Sequence, residues 1–342
     1  MLAWYAENRR KLPWREHPTP YWVFVSEMML QQTRVDTVIP YFLRFVSRFS
    51  TPADLASAPE EEVLKAWEGL GYYRRAKNLK RAMEQVEQRH NGEIPTSYEA
   101  LIALPGVGPY MAGAILSIAF NLRYPAIDGN VQRVFARLFA LPQPSGSPAL
   151  QKSVHQLVEA VLPSKAPGAF NQALMDLGAT LCLPRDPVCS VCPLRETCAA
   201  FQEGQPTAYP TTTPRPHLPE VPRIALLLRC AGEIAVEQRP TAGLLGGLWQ
   251  LPSRDLQPSQ PPDKAVAAWL LENEIASPKP PRYLGRIRHT FTHLRWVMEV
   301  FEVCPTSFVQ GQGLHWVSPD ELRQLTLPKA YHKALALAGL KL

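Results

Sequence analysis

Residues 104–110 read Leu-Pro-Gly-Val-Gly-Pro-Tyr. They lie between two segments, 97–104 and 109–120, whose apolar residues recur at helical spacing. Two glycines allow a tight reversal, and Pro109 suits the first position of the second helix. A plain turn between helices needs only one glycine. With two, the backbone N–H groups of Gly106, Gly108 and the helix start face outward, an arrangement that holds an anion such as phosphate. Small residues at 112–114 allow close packing behind it.

Outward from this hairpin, helical periodicity continues over 40–49, 53–70, 74–89, 131–141 and 150–162. Short breakers separate these segments, among them Asn91-Gly92 and Asp128-Gly129. No alternating strand pattern of useful length precedes residue 205. Residues 205–222 hold six prolines and three consecutive threonines, a stiff stretch without apolar periodicity that reads as an interdomain linker. Beyond it the character changes: 224–229, 233–238 and 296–303 read as strands, 262–274 and 319–325 as helices. The expectation is an all-α domain over 1–204, a linker over 205–222 and an α/β domain over 223–342, without internal repeats.

A chain of 342 residues suits two domains. With 46% hydrophobic and 19% charged residues it is not a disordered polymer. No apolar run of roughly 18 residues exists, so no membrane-spanning helix is expected. The first fifteen residues mix Glu, Asn, Arg and Lys with Trp, unlike an export signal, and a cytoplasmic location follows as an expectation. The net charge of +6 points to a polyanionic partner. It is modest, so local clusters must carry the contact. One candidate is Arg74-Arg75-x-Lys77-x-x-Lys80-Arg81, directly after Gly71-Tyr72-Tyr73: either a solvated helix face, or basic groups and aromatics arranged to hold a backbone and wedge bases.

Four of the six cysteines crowd into Cys182-x6-Cys189-x2-Cys192-x5-Cys198. Thiolates this close can converge on one centre, an iron–sulfur cluster or zinc; the competing reading is a disulfide pair or chance clustering, disfavoured in a chain without an export signal. Zinc sites usually pair two short C-x2-C knuckles; only one is present, so the spacing favours a cluster. Cys230 and Cys304 read as ordinary thiols. Arg185 and Arg195, among the ligands, either face phosphate or are solvated charges.

Two carboxylates stand out. Asp128, in Ala-Ile-Asp-Gly-Asn-Val-Gln-Arg, is by default a helix N-cap, and catalysis is the competing role. Glu27 lies in Trp-Val-Phe-Val-Ser-Glu-Met-Met-Leu-Gln-Gln-Thr, a segment apolar all round its axis and therefore buried. A buried carboxyl gains the fold no stability; desolvation raises its pKa and keeps it protonated near neutrality. One protonated and one ionised carboxyl are the apparatus for cleaving a glycosidic bond. In DNA the leaving group is a base, flipped from the stack.

These motifs, in this order and spacing, resemble the MutY-type adenine DNA glycosylases, within the helix–hairpin–helix superfamily that also holds endonuclease III. The resemblance covers residues 8–204 and extends into the second domain. It implies a helix–hairpin–helix glycosylase domain with a [4Fe–4S] loop followed by a Nudix-like domain. The implied activity is removal of adenine opposite 8-oxoguanine, and opposite G, from double-stranded DNA by a monomer. On this resemblance Glu27 is the acid that protonates adenine at N7, and Asp128 stabilises or transiently bonds the sugar C1′. Tyr110 and Asn130 match positions that order these groups, and Gln172 matches an adenine contact. Arg10, Trp14, Arg15, Leu30 and Gln32 match pocket or lesion-side positions. Gln32 and Tyr72 would occupy the duplex beside the orphaned 8-oxoguanine. Cys182, Cys189, Cys192 and Cys198 match the cluster ligands.

Endonuclease III carries a lysine after the hairpin that forms a Schiff base and cuts the strand. Tyr110 stands there, and a phenol forms no imine. Base excision without strand cleavage is expected. Residues 244–252, Leu-Leu-Gly-Gly-Leu-Trp-Gln-Leu-Pro, resemble a Nudix-like domain. The stretch 265–274 offers only Glu272 and Glu274 where a hydrolase needs several acids beside an arginine, so no hydrolysis is expected. Phe291-Thr292-His293-Leu matches the loop that reads 8-oxoguanine, with Thr292 where Ser is frequent. The competing reading is that Phe291 and His293 pack a strand end. Three rival functions compete with this one. One is a bifunctional glycosylase acting on oxidised pyrimidines. Another is a non-catalytic, cluster-bearing lesion binder. The third is nucleotide pyrophosphohydrolysis by the second domain.

Overall fold

The structure is a computed structural model that describes residues 1–212, 217–308 and 313–340. Contacts divide the chain into two units, Met1–Ala58 with Arg75–Arg215 and Pro59–Arg74 with Pro216–Leu342. Part of the expected linker, 213–216, lies outside the described residues.

The first unit is helical. Its centre is the helix Pro20–Leu30, started by Thr19, whose side chain accepts from the Trp22 amide. The helix is buried from Tyr21 to Met29 except at the half-buried Trp22. Against it pack Val35–Arg48 and Pro109–Phe120. Behind stand Gly129–Leu138 and Pro167–Thr180. Backbones approach closely here. A Cβ on Gly168 would meet the Ser117 carbonyl oxygen at 2.2 Å, and one on Gly178 would meet Asn130 Cβ at 2.6 Å. Only glycine fits at either place.

Several expected helices change. Residues 53–70 form two helices, Pro52–Ser57 and Glu60–Ala66, because Pro59 supplies no N–H to continue the first. Pro40 does not open its helix but lies inside Val35–Arg48. Among the described residues of this unit, four helices had no periodic signal strong enough to read: Leu2–Asn8, Pro13–Glu16, Pro167–Thr180 and Ala199–Gln202. The segment Pro59–Arg74, inside the span read as the first domain, groups with the second unit. There Lys65 Nζ donates to the Leu325 carbonyl at 3.0 Å and Glu68 accepts from the Leu327 amide at 2.8 Å. The proline-rich stretch begins packed on the first unit, since Arg137 Nε donates to the Tyr209 carbonyl at 3.1 Å. Its last residues, from Glu220, already belong to a strand.

Among the described residues the second unit has seven strands: β1 (Glu220–Cys230), β2 (Glu233–Gln238), β3 (Trp249–Gln250), β4 (Ser253–Asp255), β5 (Arg282–Thr290), β6 (Arg295–Val303) and β7 (Leu314–Val317). The order is β3-β2-β1-β6-β5, with β4 paired to β1 and β7 to β2. β1 and β6 run parallel, from Glu220 opposite Arg295 to Leu228 opposite Val303; the other pairs are antiparallel. Both faces of β1 are covered, which is why it reads as an unbroken apolar run. Ala225 and Leu227 face a core closed by Lys329–Leu337, and Ile224, Leu226 and Leu228 one closed by Pro262–Glu272. No helix among the described residues is long and apolar enough to cross a membrane.

Candidate active site

A cavity of about 920 Å³ opens in the first unit, a size that takes a nucleoside. Arg10, Trp14, Arg15, Glu27, Leu30, Gln32, Tyr110, Asp128, Asn130 and Gln172 all line it. These residues come from five separate stretches of sequence. Tyr72, exposed and at positive φ, belongs to the second unit and is outside this lining.

Glu27 projects from the Pro20–Leu30 helix and is 5% exposed. Its Oε2 accepts a 2.6 Å hydrogen bond from the Tyr110 hydroxyl. Burial pushes its pKa up to about 7; the Tyr110 bond opposes this, the charge of Asp128 adds to it, and Arg15 opposes it. The group is thus poised between acid and carboxylate at neutral pH. Tyr110 itself is held well above the usual phenol range, by burial and then by Glu27, so it stays a donor.

Asp128 is the N-cap of Gly129–Leu138: Oδ1 accepts from the Val131 amide at 2.8 Å. The capping role and a place in the cavity therefore coexist. Oδ2 accepts from Asn130 Nδ2 at 2.7 Å. Asn130 Oδ1 in turn accepts from Arg133 Nη2 at 2.8 Å, and Arg133 also bonds the carbonyls of Gly178 and Cys182. Burial raises the Asp128 pKa, against the pull of these donors.

One residue escaped the sequence. Asp176, on Pro167–Thr180, is fully buried and anchors two arginines of the cavity wall. Arg15 Nη1 donates to its Oδ2 at 2.7 Å and Nη2 to Oδ1 at 3.0 Å; Arg10 Nε reaches Oδ1 at 2.7 Å. Burial acts to raise its pKa, but Arg15 and Arg10 outweigh that and hold it below the ordinary value. The clue was available: Ala-Leu-Met-Asp-Leu-Gly sets an acid in apolar surroundings, as around Glu27. Gln172, one turn earlier, lines the cavity with Nε2 directed to the Gly168 carbonyl at 3.3 Å.

The basic run after Tyr73 is partly structural, which corrects its reading as one surface face. Arg75 is buried and donates to the carbonyls of Met28, Met29 and Gln31 and to Thr33 Oγ1, closing the C-terminal end of the Glu27 helix. Lys80 is buried on the Ala56 carbonyl and Glu84. Arg74 and Arg81 are the exposed members.

At the hairpin, Gly106 has φ +80, and a Cβ there would meet Asn78 Cβ at 2.9 Å. Gly108 is the N-cap of Pro109–Phe120, whose first-turn amides lack partners inside the helix.

Cys182, Cys189, Cys192 and Cys198 line one small cavity and form no disulfide. Arg137, also lining it, donates Nη1 to Cys182 Sγ at 3.3 Å and to the Leu183 carbonyl at 2.6 Å. Among the described residues no three Cys, His, Asp or Glu are gathered tightly enough for a single ion. Four sulfurs around one space are the donor set of a thiolate-held centre, an iron–sulfur cluster or zinc. Arg195 pairs with Glu196 at 2.6 Å and Arg185 is exposed.

In the second unit, residues 291–294 turn between β5 and β6, with the Phe291 amide on the Leu294 carbonyl at 2.8 Å. Phe291 packs on His289 and Trp296, at ring distances of 4.7 and 4.8 Å. Thr292 and His293 are exposed at the tip. Packing thus accounts for Phe291 alone. On the helix Pro262–Glu272, Glu272 pairs with Arg254 at 2.5 Å.

Comparison with known proteins agrees with both units. The model of the HhH-GPD superfamily of base excision DNA repair proteins matches residues 25–160, and that of the NUDIX domain matches 223–337. The chain is 34% identical to an adenine DNA glycosylase of Rattus norvegicus, over 97% of this chain and 76% of that one. It is 33% identical to one of Buchnera aphidicola subsp. Schizaphis graminum, over 98% and 97%. A solved thermostable thymine-DNA glycosylase superposes with a TM-score of 0.54 at 28% identity, covering 59% of this chain and 93% of its own. A non-covalent endonuclease III–DNA complex, at 24% identity and a TM-score of 0.51 over 59% and 92%, shares the fold.

Proposed function

This chain belongs to the adenine DNA glycosylases, and from that premise we propose that it removes adenine opposite 8-oxoguanine, and opposite G, with Glu27 as acid and Asp128 as counter-charge. The observation that carries the reading is the pairing of Glu27 and Asp128 in one cavity, the first protonated in part at neutral pH.

Tyr110 occupies Glu27 Oε2, which leaves Oε1 to carry the proton toward N7 of a flipped adenine. Protonation lets the base leave with the electron pair of the C1′–N9 bond. Asp128, fixed at both oxygens by Val131 and Asn130, faces the cationic sugar. Water then adds at C1′ and loses its proton. Gln172, Arg15, Trp14 and Leu30 enclose the base, Arg10 braces Arg15 through Asp176, and Gln32 holds the opposite side. Gly106 and Gly108 present amides to a phosphate, and Phe291, Thr292 and His293 read the 8-oxoguanine.

The test is excision on duplexes holding A opposite 8-oxoguanine against A opposite T, with strands resolved before and after alkali. Adenine release with strand breaks only after alkali is expected, because Tyr110 forms no imine. Breaks appearing without alkali, as fast as base release, would show a lyase. Binding without release would leave a lesion binder.

Cys182, Cys189, Cys192 and Cys198 hold a [4Fe–4S] cluster in this reading, and the protein acts as a cytoplasmic, nucleoid-associated monomer. When bound, the cluster supplies a cross-link of the loop. Cys192→Ser is expected to reduce soluble yield or DNA affinity more than the single-turnover rate. Normal affinity with a lost chemical step would contradict that assignment.

A further inference from the structure

On β5 and β6 most arginines are matched to acids. Arg282 pairs with Glu302 at 2.5 Å, Arg286 with Glu299 at 2.6 Å and Arg295 with Glu220 at 2.9 Å. Arg288 is the exception among them. Arg288 is exposed, and the terminal helix Lys329–Leu337 brings two more cations to the same place. Lys333 Nζ donates to the Arg288 carbonyl at 3.0 Å. Lys329 lies one turn before Lys333 on this helix, which packs against β5. Among the described residues, none of Arg288, Lys329 and Lys333 forms an ion pair, although all three are exposed.

Stability does not explain the grouping. Three cations in one patch repel one another, and Lys329 stands in the first turn of its helix, where the backbone dipole disfavours positive charge. An anion that spans the patch relieves both. The neighbouring feature is the tip Thr292-His293, joined to the patch through the 4.7 Å contact of His289 with Phe291.

We propose that Arg288, Lys329 and Lys333 form a phosphate-binding patch that seats the backbone of duplex DNA beside the 291–294 turn. This rests on the reading of that turn as the lesion contact. The two have different roles: phosphate contacts fix position for any sequence, and contacts with bases discriminate. The patch therefore contributes to affinity for all duplexes and sets the register in which the tip meets a base.

The test uses the full chain and its Lys329→Gln/Lys333→Gln variant. Affinity is measured from low to physiological salt on an undamaged duplex and on the excision product, an abasic site opposite 8-oxoguanine. The slope of log affinity against log salt is expected to fall by about 1 per lysine, with at least roughly tenfold weaker binding to both duplexes at low salt. Arg288→Gln, which leaves the backbone carbonyl to Lys333, should lower the slope by about 1 more and serves if the double variant fails to fold. Unchanged slopes would overturn the patch, even in a protein that excises adenine normally. A loss confined to the 8-oxoguanine duplex would also overturn it, by making these residues lesion readers. Should the unmodified protein show no preference for 8-oxoguanine, the lesion reading of the turn falls, while the slopes still decide the patch.

Discussion

Glu27→Gln is expected to bind an A·8-oxoguanine duplex normally and to release adenine about 10²–10⁴ times more slowly, the usual contribution of a positioned acid. The amide keeps the shape of the carboxyl and still accepts from the Tyr110 hydroxyl. What it lacks is a proton to give. Single-turnover excision rates measure the loss, and a change below tenfold would remove Glu27 from the chemistry. The same substitution is expected to stabilise the fold. The Glu27 pKa of about 7 lies above the ordinary 4.5, so the folded protein holds the proton more tightly than the unfolded chain. Its penalty is absent below about pH 4.5, grows as pH rises to 7, and is complete above that. The shift corresponds to a penalty on the order of 3 kcal/mol. The variant should melt several degrees higher at pH 8, with the difference vanishing at acid pH. Equal melting curves at pH 8 would mean that Glu27 carries no such strain.

Asp176→Asn is expected to destabilise the first unit by about 3–5 kcal/mol, because it leaves two guanidinium groups facing a neutral amide in a buried site. Denaturant titration measures this, and a loss under about 1 kcal/mol would contradict the geometry. A catalytic signature accompanies it. Arg15 already opposes the raised pKa of Glu27, and Asp176 is the charge that offsets Arg15. Without it the proton on Glu27 is held less firmly. The alkaline limb of the excision profile should move to lower pH, whereas a purely structural defect would lower the rate at every pH alike. Asp176→Glu, which retains the charge, should recover part of the profile. The stability due to Asp176 has the opposite pH sense to that of Glu27. Its carboxyl is held below the ordinary 3.8, so its contribution is present above that value and lost as pH falls through its folded pKa.

The parts of this molecule that could be read from sequence are those where one local signal decides the matter. A carboxyl in an all-apolar helix marks Glu27, a double-glycine reversal marks 104–110, and four crowded thiols mark the loop at 182–198. Asp176 has apolar neighbours as Glu27 has but was hidden, because Gly168, Asn171, Gln172 and Gly178 interrupt the apolar run of its helix. Charge was the least legible feature. Arg75 and Lys80 look like a solvated face when read along the chain, yet carbonyl groups from distant segments draw them inside. β5 went unread because its alternate residues are basic and its neighbours on one side supply the acids. Pro59–Arg74 shows that contacts can assign a segment to a unit its position in the chain does not suggest.

The glycines at 168 and 178 bring main chains against Ser117 and Asn130 with no side chain between them. A seam of that kind has nothing compressible in it, so the Asn130 side of the cavity is a rigid wall. The turn at 31–34, on the same cavity, is tied instead by side chains: Arg75 fastens it to the preceding helix, and Gln31 reaches the Gly106 carbonyl and Met111.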